Sequence, residues 1–251
     1  MRGQVGRLLF QYSQRMNPPL FENTFVSSAV QVYCQSVMSP IAVRRLQTHE
    51  LSPAALLLSR AMCDNPIDVR AFGGEAPRRR RSLERFYAPV LHGLYRRGEI
   101  LGGFRDAELI ALCAFAPPGH CQATLAEKVR ILPSVVLANQ IGTAARILQW
   151  VGAWTRRDPS QPHWHLGPVA VEPAAQGQGV GHALVADFCT RMDECAGLAY
   201  LETDKRENVR FYRRFGFSVV AEAEVLGVRT WFMSRVLTDT SRSVGPLPGP
   251  E

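Results

Sequence analysis

Hydrophobic and polar positions along the 251-residue chain switch repeatedly between the two-residue period of strands and the three-to-four-residue period of helices. Ile41-Ala-Val-Arg-Arg-Leu46 reads as a strand. Ser52-Pro53 then offers an N-cap followed by proline at the first helical position, which predicts a helix through about Cys63. Arg78 to Tyr95 has helical spacing, with Pro89 expected to kink or divide it. Glu99–Phe104 and Glu108–Phe115 flank the polar turn Arg105-Asp106-Ala107 and predict a β-hairpin, which Pro117-Pro118-Gly119 ends.

From Gln122 to Arg157 apolar residues recur at three and four (Leu125, Val129, Leu132, then Leu137, Ile141, Ala145, Leu148, Val151). This predicts an amphipathic helical insertion at about 120–158, broken near Pro133. Further on come a strand at His163–Val171, a glycine-rich turn, a helix from about Gly179 to Cys195 and a strand at Leu198–Thr203. A short helix at Asn208–Arg214 and a closing hairpin, Phe217–Val225 with Arg229–Arg235 around Gly227, complete the order. Such alternation fits one mixed α/β sheet rather than two domains. The domain is placed at 41–237, between an N-terminal extension at 1–40 and a tail at 238–251. The extension is expected to be poorly ordered, with the domain proper starting near Met38-Ser39-Pro40. Its arginine-rich, acid-poor composition also fits a transit peptide, yet it has no clean amphipathic helix. The tail is expected to be flexible, because Gly245, Pro246, Pro248, Gly249 and Pro250 punctuate it.

Composition changes this picture little. Hydrophobic residues make up 46 % and charged residues 20 %, far from the composition of disordered chains. The formal charge of +7 is carried almost wholly by arginine, since Lys128 and Lys205 are the only lysines. Six cysteines without a Cys-x-x-Cys pair imply a reducing, cytoplasmic setting, and no stretch has the roughly 20 mostly apolar residues of a membrane span.

The chemistry concentrates in two stretches. Gln176-Gly177-Gln178-Gly179-Val180-Gly181 lies between a strand and a helix, where backbone N–H groups and the helix dipole converge on one point suited to phosphate. It matches neither the dinucleotide Gly-x-Gly-x-x-Gly nor a nucleotide P-loop. Some thirty residues later stands Asn208-Val-Arg-Phe-Tyr-Arg-Arg-Phe-Gly-Phe217. Together, Val169–Leu184 and Asn208–Phe217 resemble the GNAT superfamily of acyl-CoA-dependent N-acetyltransferases, whose acetyl-CoA motif is matched by Gln176, Gly179 and Gly181. Leu201-Glu-Thr203, Asn208, Phe211-Tyr212, Gly216-Phe217 and the ending Arg229–Arg235 look most like the puromycin N-acetyltransferase type.

The resemblance implies a mostly antiparallel sheet flanked by helices, with strands splayed at an acetyl-CoA cleft, and acetyl transfer from acetyl-CoA to an amine of a small molecule or peptide. The pyrophosphate would lie on Gln176, Gly177, Gln178, Gly179, Val180, Gly181 and His182, and the pantetheine arm along Val169, Ala170 and Val171. Asn208 and Phe211 would complete the cofactor site. Tyr212 would protonate the departing thiolate, and Glu202 is the expected base, with Glu172 a weaker candidate. Pro168, unable to donate a ladder bond, suits a divergence of strands. The reading from another class is an acyl-CoA-binding sensor without turnover.

Other features carry plainer expectations. Arg78–Arg81 reads as a solvated helix start rather than a nucleic-acid grip, and no nucleic-acid or membrane partner is expected of the monomer or homodimer. Trp150, Trp154 and Trp164 read as aromatic core. His163 and His165 share one strand face as metal ligands can, but no third ligand is in view along the sequence, so no metal is expected.

Overall fold

The computed structural model describes residues 40–136, 141–195 and 197–236. The readings made for the extension up to residue 39 and for the tail therefore lie outside the described residues. Seven strands form one sheet in the order β1-β2-β3-β4-β5-β7-β6, with β1 Ala42–Arg45, β2 Glu99–Arg105, β3 Glu108–Ala116, β4 His163–Val171, β5 Leu198–Thr203, β6 Ser218–Val225 and β7 Val228–Val236. Every neighbouring pair is antiparallel except β4–β5. Among the described residues, seven α-helices accompany it: α1 Leu51–Ala61, α2 Pro66–Phe72, α3 Ala76–Arg97, α4 Leu125–Val136, α5 Ile141–Thr155, α6 Val180–Cys195 and α7 Arg206–Arg213. The mixed, mostly antiparallel sheet flanked by helices is the expected fold class.

Two hydrophobic cores lie on opposite faces of the sheet, and β3 shows why. Leu112, Ala114 and Ala116 point into the core built with α1, α2, α3 and α5, whereas Ala111, Cys113 and Phe115 point into the core built with α6 and α7. A strand buried on both faces has no polar alternation, hence the apolar run Leu109–Ala116. Trp150 is core, as expected, and stacks edge-on with Trp154 (centroids 5.2 Å).

Some elements depart from the sequence reading for identifiable reasons. Pro89 sits inside α3 without dividing it. Pro66–Phe72, unassigned from the sequence, forms α2, with Asn65 in extended backbone before it and Pro66 in its first turn. The first helix begins at Leu51, after a 3-10 turn Thr48–Glu50 whose Glu50 side chain accepts from the Gln47 N–H (2.7 Å), so Ser52 is not its cap. Arg79, from the run expected to be solvated, is instead buried. Its guanidinium donates to the carbonyls of Cys63 and Gly74, bracing the two connectors around α2.

α2 is also fastened to the end of β5, where Asp204 Oδ2 accepts from the Ile67 N–H (2.7 Å). Beside it Asp68 is 1 % exposed, hydrogen-bonded to Tyr87, with Oδ1 buried and unpartnered. Burial first, and repulsion from Asp204 second, hold the Asp68 carboxyl well above the usual carboxylate range. A carboxyl whose folded pKa is raised binds more protons folded than unfolded above the ordinary aspartate value. Stability therefore falls as pH rises from that value through the folded one. Asp68→Asn should flatten this slope and make the protein more stable at neutral pH by about 1 kcal/mol or more. Urea denaturation at pH 5 and pH 8 measures it, and an unchanged slope in the variant contradicts the assignment.

Candidate active site

β4 and β5 pair only over His163–His165 against Leu198–Tyr200. Past that rung β4 stays with β3, through Val169–Val171 against Ala111–Cys113, while Leu201–Thr203 stays with β7. The two strands part, and the cis Gly167–Pro168 bond and the register shift opposite Cys113–Phe115 lie where they do so. The β4 edge at Val169–Val171 thus has no strand beside it on the β5 side.

Into this gap opens a cleft of about 920 Å³. Val169, Ala170, Val171, Gln176, Gly177, Gly179, Val180, Gly181, His182, Asn208, Phe211 and Tyr212 line it. Twelve of the fourteen residues expected in the site are therefore brought together from β4, the glycine turn, α6 and α7. Further walls come from Met62, Asp64 and Asn65, in the connector from α1 to α2, from Pro66 at the start of α2, and from Lys205, Glu207 and Arg214. The connector escaped sequence reasoning; the Asn65-Pro66 pair marks a turn but carries no signal of what it faces. Of the cations near the second motif, Lys205 and Arg214 line the cleft, whereas Arg206, Arg210 and Arg213 do not.

The glycine turn is built by two different constraints. Gly177 and Gly179 have φ of 76° and 82°, the left-handed region, and a Cβ there would meet nothing within 4 Å. Glycine is required by the backbone, and the space above it stays open. At Gly181 the constraint is contact, since a Cβ would stand 3.2 Å from Val171 Cγ2, where α6 packs on β4. The bond from Ala183 N–H to the Gly179 carbonyl (3.0 Å) belongs to the first turn of α6, so the N–H groups of Val180, Gly181 and His182 precede the ladder and lack intrahelical acceptors. Gln176 donates to the Val171 carbonyl (3.2 Å) and closes the turn onto β4.

Gln178 lies outside the cleft lining. Its Oε1 accepts from Arg105 (2.7 Å) and its Nε2 donates to the Ala174 carbonyl (2.9 Å), so its part is to brace the turn. Asn208 donates to Thr203 Oγ1 (3.0 Å), tying α7 to the end of β5. Phe211 packs edge-on against Tyr212 and Phe215, at 5.2 Å each, and Phe215 reaches His182 at 4.9 Å. Tyr212 is 8 % exposed, and burial raises its phenol above the ordinary tyrosine value, keeping it a proton donor at neutral pH.

The two carboxylates considered from the sequence are both engaged. Glu172 accepts three bonds from Arg60 (2.8–3.0 Å), a bidentate pair joining the end of β4 to α1. Glu202 points to the opposite sheet face from Tyr212 and is outside the cleft lining, its side chain 3 % exposed. Its Oε2 lies 2.9 Å from His165 Nε2, and its Oε1 is buried without a partner. Burial opposes charge on His165, but Glu202 and then Asp158 outweigh it and raise the imidazole pKa. Asp158, His163 and Cys121 complete this second polar group.

Comparison with known proteins agrees with this geometry. Mycothiol acetyltransferase of Mycobacteroides abscessus is 33 % identical over 109 residues, 41 % of this chain and 35 % of that protein, so the match spans about a third of the relative's length. A crystal structure of histone acetyltransferase HPA2 and related acetyltransferase from Corynebacterium glutamicum aligns with TM-score 0.62 and 19 % identity over 81 % of this chain and 99 % of that one. Polyamine N-acetyltransferase of Drosophila melanogaster aligns with TM-score 0.56 and 15 % identity over 79 % and 100 %. Residues 134–219, which include β4, the glycine turn, α6, β5 and α7, match the family model described as acetyltransferase (GNAT) domain.

Proposed function

We propose that this chain transfers the acetyl group of acetyl-CoA directly to an amine of a small molecule or peptide. One observation carries the reading: the unpaired β4 edge, the glycine turn and the buried Tyr212 phenol all face one cleft. The acetyl-CoA pyrophosphate lies at the turn, on N–H groups that have no acceptor within α6, with Lys205 and Arg214 adding positive charge. Pantetheine amides pair with Val169–Val171 as an added strand would. The thioester then sits near Tyr212, and backbone N–H around Ala170 and Val171 faces the developing oxyanion.

The amine must arrive neutral. With an ordinary alkylammonium pKa near 10.4, deprotonation at pH 7 costs about 4.6 kcal/mol, roughly 3.4 units at 1.36 kcal/mol each. Glu202 Oε1, on the sheet face opposite Tyr212, is the proposed acceptor of that proton through water, while Oε2 remains with His165. After attack the amine nitrogen gains the carbonyl carbon, the C–S bond breaks, and Tyr212 gives its proton to the thiolate. Within the family, the Leu201-Glu-Thr203 and Phe211-Tyr212 patterns support a likeness to the puromycin N-acetyltransferase type. The free thiols of Cys63, Cys113, Cys121, Cys189 and Cys195 support a reducing, cytoplasmic setting. No described helix is long and apolar enough to cross a membrane.

Acetyl-CoA offered with a panel of polyamines, aminonucleosides and amino-terminal peptides should release CoA thiol. Tyr212→Phe should lower kcat about 10²- to 10⁴-fold and leave CoA affinity nearly unchanged. Tight CoA binding with no thiol release across the panel would replace this reading by the sensor. Gly181→Val, which drives a side chain into Val171, should instead weaken CoA binding about tenfold or more in calorimetry. Unchanged affinity there removes the turn from the cofactor site.

A further inference from the structure

On the sheet face turned away from α6, side chains from four segments meet at the last rung that β4 and β5 share. His163 and His165 stand two residues apart on β4, and both rings lie edge-on to Tyr200, at 5.5 and 5.6 Å. Each imidazole has one nitrogen committed. His163 Nδ1 lies 2.9 Å from the Gln161 carbonyl, which can only accept, so Nδ1 carries the proton. His165 Nε2 lies 2.9 Å from Glu202 Oε2 and donates to it. In the neutral rings a metal requires, the remaining nitrogens, His163 Nε2 and His165 Nδ1, offer lone pairs, and both are buried without a hydrogen-bond partner.

Asp158 repeats the arrangement. Its Oδ2 accepts from the Gln122 side-chain amide, while Oδ1 is buried, unpartnered and 3.8 Å from His165 Nδ1. Cys121 supplies a sulfur from the segment after β3. One ligand atom from each of Cys121, His163 and His165 lies within 4.8 Å of the other two, and the same holds for Asp158, His165 and Glu202. His163 is 5 % exposed, so its bare nitrogen cannot be dismissed as surface chemistry.

A buried acceptor left unsatisfied destabilises the fold, and three lie close together here. Further hydrogen bonding among these atoms gives no relief, since the Cys121 thiol, the donor among them, is given to the His163 carbonyl (3.2 Å) and acceptors do not satisfy acceptors. A proton shared between His165 and Asp158 would need a bond across 3.8 Å, beyond hydrogen-bond length. One cation satisfies all of them at once. Two imidazoles, a thiolate and a carboxylate form the borderline donor set that suits zinc, and not calcium or magnesium, which take oxygen ligands. The outer partners fit as well. A carbonyl behind one histidine, a carboxylate behind the other and an amide behind the aspartate are how metal ligands are held in orientation.

We propose that Cys121, His163 and His165 bind one zinc-class divalent transition-metal ion, with Asp158, whose Oδ1 lies 3.8 Å from His165 Nδ1, drawn in as the fourth ligand and Glu202 as the outer partner of His165. Donors around tetrahedral zinc stand about 3.3–3.8 Å apart, so Cys121, His163 and His165, now within 4.8 Å of one another, close up on binding and Asp158 moves in to join them. The Cys121 thiol loses its proton to solvent as the metal–sulfur bond forms, and no electron is transferred. None of the four ligands lines the cleft. The ion ties the segment after β3 and the connector from α5 to β4 onto the rung where the cleft begins. The missing third ligand for the histidine pair is thus supplied by segments 42 residues upstream of His163 and immediately before the strand, which sequence spacing does not reveal.

The test uses the tag-free full chain, stripped with a chelator and titrated with zinc or cobalt(II) alone. One equivalent should bind per chain, and cobalt should give tetrahedral d–d bands with a thiolate-to-metal charge-transfer band. Zinc at about 100 times its Kd should raise Tm by roughly 5–10 °C. Cys121→Ser, at a partly exposed position, should abolish the charge-transfer band, and His163→Gln should weaken binding at least about 100-fold. The proposal is overturned if excess zinc gives neither stoichiometric uptake nor a Tm shift. A charge-transfer band that survives Cys121→Ser overturns it equally. Wild-type stoichiometry decides the matter even where His163→Gln does not fold.

Discussion

The separation of β4 from β5 after the His165–Tyr200 rung is the constraint on which the rest of the structure depends. A parallel pair that stays together satisfies every backbone group and leaves no space. Once it parts, the β5-facing N–H and C=O groups of Val169–Val171 need other partners, because buried backbone groups are rarely left unpaired. The fold does not fill this gap with another strand. It walls the gap with α6 and α7 on one side and the connector from α1 to α2 on the other, making a cleft along the main-chain edge of Val169–Val171, where the Gln176 side chain already takes the Val171 carbonyl. Such an edge favours an extended ligand with amides of its own, which is the chemical character of pantetheine.

Holding two strands apart requires support on both faces. On the α6 face, Gly181 lets the helix approach Val171 closely, and the Phe211, Tyr212, Phe215 and Phe217 rings fill the wedge behind it. On the other face, Arg60 grips Glu172 at the end of β4, Asp204 caps α2 from the end of β5, and Arg79 clamps the connectors around α2. The pair between Arg60 and Glu172 is partly exposed and contributes little by itself. Its value is positional, since it fixes the end of an edge that no neighbouring strand holds.

What was legible in the sequence follows from this division. Strands, helices and the glycine turn were readable because period, turn residues and backbone sterics act locally: Gly177 and Gly179 announce left-handed φ, and Leu109–Ala116 announces a strand buried on both faces. The resemblance carried the cofactor residues, twelve of whose fourteen associated positions line one cleft. What was not legible is long-range. Arg79 looks like one of four solvated arginines until connectors that only tertiary structure brings near accept its hydrogen bonds. Pro89 looks like a break, yet α3 runs through it, packed against the core by Leu83, Phe86, Leu91 and Leu94. Glu202 could be singled out as a carboxylate on the right strand. Its commitment to His165, 37 residues away, could not.

That commitment explains how two proton-handling groups can serve one reaction without neutralising each other. Tyr212 and Glu202 lie on opposite faces of the sheet, beside the opening left by β4 and β5. An acid and a base in direct contact would exchange the proton between themselves. Separated by the sheet, the phenol stays protonated through burial and the carboxylate is held by its histidine. On the proposed reaction the thioester sulfur is served from the α6 face and the amine from the other, which is the order direct transfer needs: a proton leaves the nucleophile on one side and reaches the leaving group on the other. The gap between the strands is then both the cofactor's berth and the passage joining the two half-sites. Closing it by even one further β4–β5 rung would abolish both.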